Sequence, residues 1–412
     1  MATVVFIGAL DTKGHEYDYV RSRVREHGLD VVLVDVGVLA PPLVAPDIPR
    51  DEVARAAGAD VRALAAAGDR GAAVETMARG AAEVVKRLHA EGRLDAILGL
   101  GGSGGSTLIT HAMRQLPVGV PKLMVSTVAS GDTRPYVGAV DITMMYSVVD
   151  IAGLNGLSKR ILSNAAGAIA GMATAAVPQE GGGKPLIGAT MFGVTTPCVT
   201  AARERLEELG YEVLVFHATG TGGQSMEALV DGGFLAGVLD ITTTELADDL
   251  VGGVFSAGPD RLETAGAHGL PQVVSLGALD MVNFGPMETV PPPFKDRLLY
   301  THNATVTLMR TTPEENAELG QRIARKLNGA RGPVILYIPL KGVSAIDVEG
   351  QPFYDPAADA ALVTALRATL DPRVQMREMD TDINDPAFAR AMADALHELC
   401  VTWIAQKQGG TT

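Results

Sequence analysis

Apolar residues recur along the first 180 positions in two alternating rhythms. Short runs at Val4 to Ile7, Val31 to Val36, Ala96 to Leu100 and Lys122 to Ser126 read as strands. Between them, apolar positions at helical spacing predict helices around Tyr17 to Glu26, across Val53 to Leu88, near Leu108 to Gln115 and over the Ala-rich stretch Leu157 to Ala176. Strand and helix in alternation predict βαβ units and a mainly parallel sheet. Pro178, Gly181, Gly182, Gly183 and Pro185 then form a stretch that neither helix nor strand tolerates, which places a domain boundary between residues 1–180 and 185–412.

The second half begins again in the same rhythm. Ile187-Gly188-Ala189 lines up with Ile7-Gly8-Ala9, the helices that follow end at Leu209-Gly210 and His27-Gly28, and strands come next in both. This is consistent with an internal duplication of a Rossmann-like unit. Further strands are predicted at Gly237 to Asp240, Gln272 to Leu276, Val334 to Ile338 and Val374 to Met379, with helices over Glu314 to Leu327 and Asp359 to Thr369. A last helix from Pro386 is expected to pack back on the N-terminal domain. The predicted fold class is α/β: two Rossmann-like subdomains, with ligand sites at the carboxyl ends of the strands.

Composition narrows the picture. A chain of 412 residues fits two domains, and 47% apolar with only 4% aromatic residues means cores of Ala, Val, Leu and Ile, suited to buried parallel strands. A net charge of -14 repels phosphate backbones and anionic lipid, so no nucleic-acid or membrane partner is expected. Cys198 and Cys400 lack any metal or disulfide spacing and are expected to be buried thiols. With no secretory leader or long apolar span, a cytoplasmic location is expected.

Candidate chemistry gathers where strands end. Gly101, Gly102, Ser103, Gly104, Gly105, Ser106 and Thr107 lie between a strand and a helix, where glycines let backbone amides approach an anion and the helix start favours negative charge. The order is not that of a Walker A loop. Gly8, Ala9, Asp11, Thr12 and Lys13 follow the first strand: Lys13 suits a phosphate, Thr12 a hydrogen bond to it, and Asp11 a Mg²⁺ ion, a ribose or a helix cap. Asp35, at the end of the second strand, is a candidate for a ribose, and Thr127 lies along the same rim.

Three blocks in this order, GALDTKG at Gly8 to Gly14, GLGGSGGST at Gly99 to Thr107 and HATGTGGQSME at His217 to Glu227, resemble the ATP-binding family of the tomato mosaic virus resistance-protein type. The resemblance covers essentially the whole chain. It implies ATP held by the N-terminal domain at Ala9, Asp11, Thr12, Lys13 and the Gly101 to Thr107 loop, and a homodimer. Ala9 and Ser106 stand where members often have Thr. Plant members carry an added barrel domain that in microbes is a separate protein, which the resemblance makes an implied partner.

In the second half His217, Asp240, Glu245 and Lys341 also follow strands and are candidates for acid–base chemistry on a small polar or acidic metabolite, in a cleft facing both domains. The leading expectation is therefore a Mg·ATP-dependent enzyme. The alternatives are an ATP-binding regulatory or assembly protein, with a small-molecule effector, and an NAD(P)-binding oxidoreductase.

Overall fold

Strand β1 (Thr3–Gly8) buries Val5 and Ile7 in one apolar layer and Val4 and Phe6 in another. A strand apolar on both faces must be covered on both. The computed structural model, which describes residues 2–176 and 183–409, supplies that cover within the first of two compact units, Met1–Gln179.

After β1 come α1 (Leu10–Glu26), β2 (Asp30–Asp35), α2 (Arg50–Ala56), α3 (Val61–Ala67), α4 (Arg70–Ala90) and β3 (Ala96–Gly101). Then follow α5 (Ser103–Met113), β4 (Lys122–Ser126), α6 (Arg134–Val137), β5 (Ile142–Tyr146) and α7 (Gly156–Thr174). The five strands are parallel, in the order β2-β1-β3-β4-β5. Helices α1 and α7 cover one face through Tyr17, Val20, Leu162 and Ile169, while α4 and α5 cover the other through Met77, Val85 and Ile109.

The second unit, Glu180–Thr412, opens with β6 (Leu186–Met191), α8 (Thr196–Glu208), β7 (Glu212–His217), α9 (Thr221–Asp231), β8 (Gly237–Thr242), α10 (Glu245–Val251), α11 (Thr264–Ala267) and β9 (Gln272–Gly277). Three antiparallel strands intervene: β10 (Met281–Phe284), β11 (Leu299–Asn303) and β12 (Val306–Arg310). The unit closes with α12 (Pro313–Asn328), β13 (Val334–Pro339), α13 (Pro356–Thr369), β14 (Gln375–Met379) and α14 (Pro386–Gly409). Its main sheet is parallel, in the order β14-β13-β9-β8-β6-β7. Counted from β6, the first five strands repeat the order of the first unit, so the rhythm shared by the two halves is matched by a shared topology.

The last helix buries Phe388, Met392, Leu396 and Cys400 with Ile187, Ala189 and Leu206 of its own unit, because its apolar stripe matches that unit's sheet and α8. The small antiparallel sheet was not predicted: β11 is almost wholly exposed and offers no apolar run. The proposed boundary residues Pro178, Gly181 and Gly182 lie outside the described residues. Cys198 and Cys400 are buried and unbonded, as composition suggested. No helix among the described residues is long and apolar enough to cross a membrane.

Candidate functional site

In the first unit the chain leaves β1 for β2 through α1 on one face, and reaches β3 through α4 on the other. Such a reversal opens a crevice between the carboxyl ends of two neighbouring parallel strands, where ligands of open α/β sheets bind. The pairing of β1 with β3 runs only from Val4↔Ala96 to Ile7↔Gly99. Beyond it Tyr17 of α1 takes over: its hydroxyl donates to the Ile7 carbonyl and accepts from the Leu100 amide at 2.7 Å. Burial pushes the phenol well above its ordinary range, so it stays a donor. Gly8 makes the room, since a methyl there would fall 2.0 Å from the Tyr17 ring.

The glycine-rich run turns out to be largely the first turn of α5, which begins at Ser103. Gly102 caps the helix without a side-chain hydrogen bond, and no acceptor among the described residues takes the amides of Ser103, Gly104 or Gly105. Unanswered amides at an 11-residue helix start form an anion cradle. Gly101 lets this turn press on the strand end: a methyl there would meet the Gly105 and Ser106 backbone at 3.0 to 3.2 Å. Ser106, by contrast, is fully buried and shares a 2.6 Å hydrogen bond with Ser126, tying α5 to β4. Thr107 bonds back to the Ser103 carbonyl at 3.0 Å, while the Thr127 hydroxyl lies 3.6 Å from where a methyl on Gly102 would stand.

The Gly8 to Lys13 stretch is likewise the start of a helix rather than a loop, with Lys13 departing from helical geometry (φ -128°). Its acids face inward. Asp11 is only 2% exposed; it accepts from the Leu39 and Ala40 amides at 2.9 and 3.3 Å and lies 3.6 Å from Arg50. Asp35 is buried, accepting from the amides of Leu10 (3.2 Å) and Gly37 (2.9 Å) and from Arg50 Nε (2.6 Å). Both carboxylates, the expected metal ligand Asp11 and the expected ribose partner Asp35, therefore hold the segment after β2. Thr12 bonds to the Ala9 carbonyl at 3.3 Å, and the Lys13 ammonium donates to the Ile151 carbonyl.

Between these elements lies a cleft of about 530 Å³. It is lined by Gly102, Ser103 and Gly104 and by the apolar side chains of Val36, Val38, Leu64, Val74 and Leu108. Arg70, the first residue of α4, also lines it.

Of the four expected acid–base residues in the second unit, Asp240 and Glu245 meet on one arginine, Arg261. Asp240 binds the buried Arg261 through two hydrogen bonds of 2.6 and 2.7 Å and accepts from Thr190 at 2.7 Å. Glu245 accepts from Arg261 Nε at 2.6 Å and from the amides of Gly220 and Gly223 at 2.8 and 3.0 Å. The glycine-rich start of α9 is thus already filled by an internal carboxylate. Burial opposes the charge on Arg261, but Asp240, Glu245 and Glu227 hold its pKa well above the ordinary value. His217 is exposed at the end of β7, its ring 5.4 Å from that of Phe192. Lys341 pairs with Asp380 at 2.9 Å beside a different cleft, of about 570 Å³, at the ends of β13 and β14.

The models of both domains of one family match: the N-terminal domain of the uncharacterised protein family UPF0261 over residues 2–178 and its C-terminal domain over 184–400. The chain belongs to the UPF0261 family. A UPF0261 protein of Clostridium tetani is 56% identical over 394 residues, covering 95% of this chain and 98% of that one. Another from Rhizobium meliloti is 50% identical, covering 97% and 99%. The tomato ToMV resistance protein Tm-1(GCR237) is 48% identical over 337 residues, 80% of this chain but 45% of the tomato protein. Among solved structures, UDP-N-acetylglucosamine 2-epimerase from Rickettsia bellii aligns over 98% of this chain and 96% of that one, at 10% identity and a TM-score of 0.24, too faint to bear on ligand or mechanism.

For this UPF0261 protein, the residues singled out in the sequence lie at strand ends, and several of them are engaged with the protein itself. Gly8, Ala9, Asp11, Thr12, Lys13 and Gly101 to Thr107 do converge on one region, but Ser106, Asp11 and Asp35 work on the protein itself. Tyr17, Arg50, Arg70 and Arg261 were missed. Tyr17 read as one more apolar helix position, and nothing in the spacing marked the ring that lies over Gly8.

Proposed function

We propose that the first unit binds ATP in the β1/β3 cleft, with the phosphates on the first turn of α5 and the base among Val36, Val38, Leu64 and Val74. The observation that carries this reading is the pairing, in one cleft, of three unanswered helix amides with an apolar recess. The family resemblance of the three glycine-rich blocks supports the choice of ATP over other phosphates. Asp11 is committed elsewhere, so the reading assigns no protein ligand to a magnesium ion arriving with the triphosphate. Binding is the part of the expectation that the geometry supports. Asp240 and Glu245 are engaged with Arg261, and the reading gives them no part in binding.

Calorimetric titration of the full chain with Mg·ATP and with NAD tests the reading. Saturation at about 100 times Kd raises stability by about 2.7 kcal/mol. Gly104→Asp sharpens the test: a side chain at Gly104 meets only Arg70 Nη2, at 3.6 Å. A carboxylate in the first helical turn is favourable to the helix yet fills the cradle. ATP binding is expected to vanish while thermal stability holds; binding of NAD but not ATP refutes the reading.

A further inference from the structure

We propose that Arg70 is the cation that grips the outer phosphates of the anion seated on α5, and so sets the preference for a triphosphate over a monophosphate; this rests on the nucleotide reading above. A phosphate on the Ser103, Gly104 and Gly105 amides presents its remaining oxygens to the cleft, where a fixed positive charge is needed to match them. The sequence offers Lys13, which also lines the cleft, but its ammonium is drawn to the Ile151 carbonyl. Arg50 is held between Asp35 and Asp11. Arg70 differs from both. It is exposed, lines the cleft, and forms no ion pair or hydrogen bond among the described residues. Its Nη2 lies 3.6 Å from where a methyl on Gly104 would stand, beside the first turn of α5.

Two further observations point to a ligand. Arg70 occupies the first position of the 21-residue helix α4, where the helix dipole disfavours a cation. Asp69 already caps that helix by accepting from Ala72, so Arg70 contributes nothing to the helix start. A stability role thus accounts for neither its place nor its lack of a partner. The protein also builds the same arrangement internally: in the second unit Arg261 grips the Glu245 carboxylate, which lies on the amides at the start of α9. There the anion is part of the chain; at α5 it is missing, and the arginine stands free. Of the three acids lining the cleft, Asp69 caps α4, Asp150 accepts from the Ile151 amide and Asp11 accepts from the Leu39 and Ala40 amides, and none is paired with Arg70. The flat guanidinium fork suits two phosphate oxygens at once, which an ammonium does not.

The test is calorimetric titration of wild type, Arg70→Gln, Arg70→Lys and Lys13→Met full-length chains with ATP, AMP and inorganic tripolyphosphate. Thermal midpoints of both Arg70 variants should match wild type, since the side chain has no partner to lose. Arg70→Gln should weaken ATP and tripolyphosphate about 10- to 100-fold while AMP changes much less. Arg70→Lys should recover part of the loss, and Lys13→Met should leave the ATP-to-AMP ratio unchanged. If ATP binds equally well to wild type and Arg70→Gln, the clamp is refuted and the nucleotide reading stands. If tripolyphosphate binds with Arg70 dependence but ATP does not, the clamp stands and the nucleotide reading fails. If wild type binds neither, both fall.

Discussion

Replacing Tyr17 by Phe removes one oxygen atom from the point where the crevice opens. The ring keeps its place over Gly8, so packing is preserved and the hydroxyl alone is tested. Its loss strands the Ile7 carbonyl and the Leu100 amide, both in the fully buried interior between β1 and β3. Two lost hydrogen bonds are worth about 1 kcal/mol each, and leaving buried partners unpaired adds about 1 to 3 kcal/mol. The sum, about 3 to 5 kcal/mol, is a large part of the roughly 5 to 15 kcal/mol that holds a typical domain together. Melting should fall by roughly 6 to 20 °C for a unit of this size. Hydrogen exchange adds the local evidence: the Leu100 amide should exchange faster in Tyr17→Phe, as should those of Gly101 and Gly102, whose strand end it anchors. ATP affinity should drop as the two strand ends lose their fixed spacing. Unchanged exchange at Leu100, with unchanged melting, would refute the idea that this hydroxyl holds the crevice together.

Other outcomes follow from the second unit, which contains the only tryptophan, Trp403. Glu245→Ala should cost about 3 to 5 kcal/mol in urea titrations read by Trp403 fluorescence, because Arg261 is left buried against the α9 amides with one partner fewer. His217→Ala, at an exposed strand end, should stay within about 0.5 kcal/mol in the same assay. Burial pushes Asp248 from 3.8 to about 7, against the hydrogen bonds it accepts from Asn283 and Phe255. The native state therefore holds a proton that the unfolded chain has released, and stability on the order of 4 kcal/mol should be lost as pH rises from about 4 to 7. Asp248→Asn should flatten that slope in urea midpoints taken across the window; an unchanged slope would show that Asp248 is not the group responsible.

The layers of this fold were legible because they depend on periodicity. Val4 to Ile7 and Val31 to Val36 announce strands covered on both faces, and the matching start at Ile187 announces a second unit of the same kind. What periodicity could not show is which way a polar group turns. Asp11 sits two residues from Ala9 and two from Lys13, yet its carboxylate serves the Leu39 and Ala40 amides, contributed by a segment almost 30 residues later. Helix starts were placed too late for a related reason. Glycine in Gly101 to Gly105 argues against a helix interior on propensity, but the first turn tolerates it, and there it leaves the amides uncovered.

The contrast between the two glycine-rich helix starts shows why composition alone does not define a binding site. Both Gly102 to Gly105 and Gly220 to Gly223 open helices, and both present amides. One faces a cleft and a partnerless arginine; the other is closed by Glu245, a residue more than 20 positions away that the sequence marks only as a helix-start acid. A carboxylate already on the amides removes the reason for a phosphate to bind, because the favourable charge interaction has been made within the chain. The α5 start is therefore the one open to a ligand, and Gly104→Asp would convert it to the closed state that the second unit already has.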